Sequence, residues 1–338
     1  MSPLTRKIGT DSVPAIGLGV MRISVFYGTP ESDEERFKLL DAALHEGSTF
    51  WDTAAYYGDN EELIGRWFKH TGKRDNIFIA TKIGFSRAGT NNDPEFLRAG
   101  LENSLKNLGI DTIDLLYIAR IQRSIPIEKT IAVMAEFVKA GKIKHIGLSE
   151  CSAATLRRAH AVHPISAVQV EYSPFALDIE GEKNGLLKAC RELGVTVVAY
   201  SPLGRGVLTG AYVSSTSTNY DFHPEDVRRR FPKYSKENFP NILNLVKDLE
   251  EIAKKHNVTS GQVTLAWILA QGDDIIPIPG TKSVKYLKEN YNSAKVNLTV
   301  DEINAIRASA QRLESVGGGL PRYPEGLLDD LFANTVEP

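Results

Sequence analysis

The sequence predicts an α/β chain folded as a (β/α)8 TIM barrel, and three observations predict it. Short apolar segments alternate with amphipathic helical stretches along nearly the whole chain. The apolar segments are near-continuous, as strands buried on both faces of a parallel sheet require. No Pro/Gly/Ser-rich linker divides the 338 residues, so residues 1–338 read as a single domain.

The strand candidates, in order, are "AIGLGV" (15–20), "STFWDTA" (48–54), "NIFIATKIG" (76–84) and "IDLLYIAR" (113–120), followed by "IKHIGLSE" (143–150), "SAVQVEY" (166–172), "VTVVAYSPL" (195–203) and "DIIPIPG" (274–280). Eight strand–helix units in one unbroken chain favour a closed barrel over an open doubly wound sheet. Helical periodicity fills the gaps. "SDEERFKLLDAALHEG" offers Ser32 as N-cap, places Phe37, Leu40 and Ala43 on one face, and stops at Gly47. "NLVKDLEEIAKKHN" and "SGQVTLAWILAQG" read the same way. A Rossmann reading fares poorly. "GLGVMR" carries Arg22 where the third glycine belongs, and "GRGVLTG" and "GGGLPR" do not open a helix after a first strand. Residues 206–242 and the tail 313–338 break the rhythm; both emerge where a barrel carries its active site, so they are expected to cover that face.

Bulk composition narrows the function. The chain is 42% hydrophobic and 24% charged, with 40 Lys+Arg against 42 Asp+Glu and a net charge of −2. That balance offers nucleic acid or an anionic membrane no electrostatic attraction. The basic run Arg228–Arg230 reads as a solvated face. Cys151 and Cys190 make no disulfide framework, and the seven histidines include no metal-binding spacing. "MSPLTRKIGTD" lacks the apolar stretch of a signal peptide. These features predict a soluble, cytoplasmic, metal-free protein; oligomeric state is left open.

The predicted strands end in polar residues: Asp52, Lys82, Ser149, Glu150, Gln169 and Tyr200. In a barrel, catalytic side chains gather at that face. Lys82 closes an otherwise buried strand, so its ammonium needs a partner at the barrel mouth, and Asp52 is the obvious counterion. Tyr57 lies on the loop just beyond Asp52. An ammonium nearby would lower the ordinary phenol pKa of about 10 and make Tyr57 a proton donor near neutrality. Taken singly, these residues are equally a buried ion pair and a packing tyrosine; together at strand ends they point to chemistry. A Schiff-base role for Lys82 is disfavoured, because Asp52 would keep it charged.

"WDTAAYYGDNEELIG", "ATK", "VAYSPLGRG" and "IPIPGTKSVKYLKEN" together resemble the aldo-keto reductase superfamily, over about residues 13–295. The resemblance implies a barrel of that type, binding NADP(H) across its C-terminal face without a Rossmann domain and reducing aldehydes and ketones. Carried over by position, Tyr57 is the general acid, supported by Lys82 and Asp52. Tyr200 stacks on the nicotinamide, and Ser149 and Gln169 hold its carboxamide. The backbone of Ser201, Pro202, Leu203 and Gly204, with Arg205, receives the pyrophosphate. Gly280, Thr281 and Lys282 take the 2′-phosphate, and Glu289 and Asn290 lie at the adenine.

The chain departs from that pattern at the fourth strand. Most members carry L-H-R-x-D there; this sequence reads "LLYIARIQR", with Ala119 at the histidine position and Gln122 at the acid. Glu150 stands where many relatives have Asn, and Tyr286 at a common arginine position. Three expectations follow. Tyr57 is the sole acid for a substrate that brings its own polar group, as pyridoxal does in a similar fungal branch with Ala-Arg here. Otherwise Ala119 widens the pocket of a general aldehyde or ketone reductase, or the chain is a cofactor-binding regulatory subunit.

Overall fold

The computed structural model describes residues 4–26, 28–211, 222, 226–316, 323–325 and 331–338. An antiparallel hairpin leads, β1 (Thr5–Ile8) and β2 (Asp11–Pro14). The barrel strands are β3 (Leu18–Gly19), β4 (Phe50–Asp52) and β5 (Phe78–Ile83), then, after a small hairpin of β6 (Phe85–Ser86) and β7 (Gly89–Thr90), β8 (Ile113–Ile118), β9 (Ile143–Ser149), β10 (Ala167–Glu171), β11 (Thr196–Tyr200) and β12 (Ile275–Pro277). These eight strands pair parallel, and their order in the sheet follows the chain. All eight strand candidates are therefore present. Gly17 N donates to Pro277 O at 3.0 Å and Gly19 N to Pro279 O at 3.3 Å, so the first strand meets the last and the sheet curls round.

Helices run between and after the strands: α1 (Asp33–Glu46), α2 (Asn60–Thr71), α3 (Pro94–Leu108), α4 (Ile127–Lys139), α5 (Ala153–Val162), α6 (Leu186–Leu193), α7 (Phe239–His256), α8 (Ser260–Leu269), α9 (Val284–Asn292) and α10 (Val300–Val316). The first shows how local sequence sets the bounds. Ser32 Oγ accepts from Glu35 N, Gly47 ends the helix at φ +84°, and Leu40 and Ala43 are buried while Phe37 is half-buried. Among the described residues no helix is long and apolar enough to cross a membrane.

Two apolar layers result. Between sheet and helices lies a large core; inside the barrel lies a second, built from Phe50, Ala80, Leu115, Tyr117, Val198 and Ile276. Ile8 and Val13 of the leading hairpin belong to that inner core, so the hairpin plugs the N-terminal end and leaves the opposite end for a site. The hairpin has no counterpart among the expected strands, because two four-residue segments with mixed polarity give little periodicity.

Three expectations are corrected. The loop read as 206–242 ends earlier, since α7 begins at Phe239, and it contains short 3-10 turns at Val227–Arg230 and Pro232–Tyr234; residues 212–221 and 223–225 of it lie outside the described residues. The tail read from 313 starts later, because α10 continues to Val316. The basic run is not wholly solvated: Arg228 is only 4% exposed, paired with Asp226 at 2.5 Å and lying 4.1 Å from the Phe222 ring centroid.

Candidate active site

Strand register assembles the site. Asp52 ends β4 in register with Gly19 and Ala80; Lys82 sits one pleat further along β5, opposite Tyr117 of β8. Ser149 and Gln169 are register partners on β9 and β10. Because alternate residues face the barrel interior, Asp52, Lys82 and Gln169 converge there. Lys82 Nζ donates to Asp52 Oδ1 at 2.5 Å and to Thr53 O at 2.7 Å, and Gln169 Nε2 donates to Asp52 Oδ2 at 2.7 Å. All three side chains are buried. Burial pushes the Asp52 carboxyl up, opposed by the charge and hydrogen bond of Lys82 and by Gln169.

The loop after β4 follows the end of β5, with Thr53 N on Ala80 O and Ala55 N on Lys82 O. It carries Tyr57 back over the lysine, whose Nζ lies 5.2 Å from the Tyr57 ring centroid. From the other side, the Tyr117 ring lies 5.6 Å from the same ammonium. That floor depends on Gly147, where any Cβ would come within 2.3 Å of the Tyr117 ring. Tyr56 packs edge-on against Tyr57, with centroids 4.7 Å apart. The Tyr57 phenol is pushed above its ordinary range by burial and then by the Asp52 charge, with Tyr56 and Arg120 opposing. The expected lowering by Lys82 is thus corrected: Asp52 largely neutralises the ammonium, and dehydration dominates.

Beyond the trio, the residues expected at a nucleotide occupy neighbouring strand ends. After β11 the backbone turns left-handed at Ser201 (φ +48°), Gly204 (+53°), Arg205 (+54°) and Gly206 (+90°). Such turns point successive amide N–H groups into one concavity, which suits an anion. Pro202 is buried and Leu203 half-buried beneath it. The Arg205 guanidinium carbon lies 4.8 Å from the Phe231 ring centroid and 5.7 Å from that of Tyr323, whose hydroxyl accepts from Nη2 at 3.0 Å. After adjacent β12, Gly280 packs against Gly19 O, Thr281 Oγ1 accepts from Ser283 N at 3.0 Å, and Lys282 Nζ reaches Thr29 O at 3.3 Å, just before α9. Asn290 is buried on α9, and Glu289 there accepts from Thr259 at 2.7 Å.

Two expected cofactor contacts are already engaged within the protein. Gln169 holds Asp52, and the Tyr200 hydroxyl donates to Glu150 Oε1 at 2.7 Å. Ala119, fully buried after β8, donates its N–H to Ile83 O. The residue after it escaped the sequence reading. Arg120 turns its guanidinium towards Ser149 at the mouth, with Nη1 3.3 Å from Ser149 Oγ. Its signal was available, since a charge closing an apolar strand is what singled out Lys82. Tyr56 and Tyr323 carried no such signal; an aromatic in a loop is ordinary until the fold places it.

Comparison with known proteins finds relatives over the whole chain. A model of the Aldo/keto reductase family matches residues 15–311. Aldo-keto reductase str7 from Strobilurus tenacellus is 56% identical over 330 residues, covering 96% of this chain and 97% of that protein. Aldo-keto reductase yakc [NADP(+)] from Schizosaccharomyces pombe is 51% identical over 99% of this chain and 98% of its own length. Among solved structures, the glycerol dehydrogenase AKR11B4 from Gluconobacter oxydans superposes with a TM-score of 0.80 at 26% identity, covering 96% of this chain and 99% of that one. With eight strands, a lysine–aspartate pair under a tyrosine, and relatives alike from end to end, this chain belongs to the aldo/keto reductase family.

Proposed function

We propose that this protein reduces an aldehyde or ketone to an alcohol with NADPH, and that pyridoxal, reduced to pyridoxine, is its substrate. The observation that carries the reading is Tyr57 lying over the Lys82–Asp52 pair at the open end of the barrel. The left-handed turn at Ser201–Gly206, with Arg205, fits a pyrophosphate, and Thr281 and Lys282 at the start of α9 fit a 2′-phosphate. A relative named for NADP(+) supports the same choice. NADPH, when bound, supplies a hydride to the carbonyl carbon.

The protein's own groups do the rest. The Tyr57 hydroxyl donates its proton to the carbonyl oxygen. As negative charge passes to the phenol, the ammonium facing its ring stabilises it, and Asp52 and Thr53 O hold that ammonium in place. Ser149 and Gln169 take the carboxamide, Tyr200 covers the nicotinamide, the backbone of Ser201, Pro202, Leu203 and Gly204 takes the pyrophosphate, Gly280 lines the 2′-phosphate site, and Glu289 and Asn290 flank the adenine. Ala119 leaves proton donation to Tyr57 alone, which suits a substrate with its own polar group beside the carbonyl.

NADPH oxidation by the purified protein tests this directly. Pyridoxal is expected to turn over faster than a simple aromatic aldehyde. Comparable rates would replace pyridoxal by a broad carbonyl specificity; tight NADPH binding with no turnover of any carbonyl would make the chain a cofactor-binding regulator. Tyr57→Phe is expected to lower reduction by roughly a hundredfold to ten-thousandfold, the span of one positioned proton donor, with NADPH affinity retained. A variant that keeps most of its rate would move proton donation elsewhere.

A further inference from the structure

Arg120 is a half-buried cation that makes no ion pair among the described residues. Its Nη1 donates to Ala119 O at 2.6 Å and to Ser149 Oγ at 3.3 Å, while Nε is buried and has no hydrogen-bond partner among the described residues. The buried cations Lys82, Arg36 and Arg228 are supplied differently: Lys82 has Asp52, Arg36 has Asp33 and Asp59, and Arg228 has Asp226. The groups that act on Arg120 electrostatically are Tyr200, Tyr56, Glu150 and Tyr323. The one carboxylate among them already accepts from the Tyr200 hydroxyl at 2.7 Å and from Glu171 N at 3.1 Å. Burial works against the charge of Arg120, but its interactions with these groups outweigh it and hold the guanidinium above its ordinary range.

With Nε shielded from water and the rest of the guanidinium only half-buried, a counter-charge from outside the chain would gain a charge-assisted contact for a small further loss of hydration. The guanidinium fork matches a planar pair of oxygens. Arg120 reaches Ser149, the register partner of the Gln169 that holds Asp52, so it stands at the same strand ends as the Lys82–Asp52 pair beneath Tyr57.

We infer that Arg120 anchors the substrate, and that the site selects carbonyl compounds bearing an acidic oxygen, a carboxylate or a phenolate, beside the reducible group. The inference rests on the reductase reading above and adds the substrate class to it. Such an oxygen seats on Arg120 while the carbonyl oxygen faces Tyr57.

The test compares meta- and para-formylbenzoate with their methyl esters, and pyridoxal with its phenolic methyl ether, as substrates with NADPH. Wild-type protein is expected to favour at least one acid or phenolate over its neutral partner by about tenfold or more in kcat/KM, the weight of one charge-assisted contact. Arg120→Gln is expected to bring that ratio close to unity and Arg120→Lys to keep part of it. Cofactor affinity, followed by NADPH fluorescence, is expected to stay within about threefold, well under one hydrogen bond's worth. The carboxylate and phenolate pairs separate the two sources of charge. Equal use of every acid and its neutral partner by the wild type would overturn the inference. So would a uniform loss on all substrates in Arg120→Gln, or a loss of NADPH affinity, which would make Arg120 a cofactor contact through Ser149. Calorimetry of benzoate against benzamide on the NADPH-loaded protein reads the same selection without turnover. Benzoate bound by the wild type and not by Arg120→Gln would sustain the inference even if no carbonyl were reduced; benzoate bound equally by both would end it.

Discussion

A phenol that must give up a proton is placed where losing it is hard. Burial and the charge of Asp52 hold Tyr57 protonated, and Lys82 faces its ring rather than its hydroxyl. The sign for activity follows. A raised pKa keeps the donor loaded as pH climbs, so carbonyl reduction is expected to stay level until about pH 10 or beyond, the ordinary phenol range. A kcat/KM that declined through neutrality would show instead that bound cofactor and Lys82 together stabilise the phenolate. The ion pair has its own consequence. Lys82→Met would leave Asp52 buried without a counter-charge, and breaking such a pair costs about 3–5 kcal/mol. Urea unfolding is expected to show that loss, and adding Asp52→Asn to recover much of it, because the stranded charge is then gone. Additive losses in the double variant would mean that the pair is not coupled.

At the scale of elements, the loop between β4 and α2 decides where Tyr57 stands. Asn60, fully buried at the start of α2, ties it down: Oδ1 accepts from Thr53 Oγ1 at 2.7 Å, and Nδ2 donates to Val20 O at 2.8 Å and Ser24 Oγ at 3.0 Å. Asn60→Ala strands those groups, at about 1–3 kcal/mol for buried polar atoms left unpaired. It is also expected to lower kcat more than it raises the Kd for NADPH, since the segment it releases carries Tyr57 and no predicted cofactor contact; an unchanged kcat would detach the loop from positioning. The elements themselves were legible in the sequence. All eight barrel strands show as apolar runs, and Ser32 and Gly47 mark both ends of α1. The leading hairpin was not, because its seal on the barrel comes from Ile8 and Val13 reaching residues far along the chain. Arg228 was misread for a related reason: its partners Asp226 and Phe222 bury it only once the loop has folded back.

Over the whole molecule, the site is closed by segments with little local signature of their own. Lys82 and Asp52 were visible as charges ending apolar strands, whereas the packing of Tyr323 on Arg205 and of residues 331–338 on the barrel mouth arises from tertiary contacts alone. The last segment is firmly seated. Phe332 N donates to Glu150 O at 2.9 Å, Ala333 bridges Cys151, Ile127 N donates to Thr335 Oγ1 at 3.2 Å, and Val336 N donates to Arg123 O at 2.9 Å. These attachments reach the turns after β8 and β9, the same strand ends that carry Arg120 and Ser149. Glu150, whose carbonyl takes the Phe332 bond, stands at φ +54°, a conformation that costs a non-glycine residue about 1–2 kcal/mol. Glu150 in turn fixes the Tyr200 hydroxyl. Deleting residues 331–338 therefore removes little of either apolar core but frees Glu150 to relax and Tyr200 to turn. The truncated protein is expected to fold with its circular dichroism intact and to bind NADPH about tenfold more weakly, about 1.4 kcal/mol. Glu150→Gly, which relieves the strain without removing the segment, should share the loss only so far as the Tyr200 contact matters. Wild-type affinity in the truncated chain would mean that the mouth holds its shape without this strap and that Tyr200 is positioned by β11 alone.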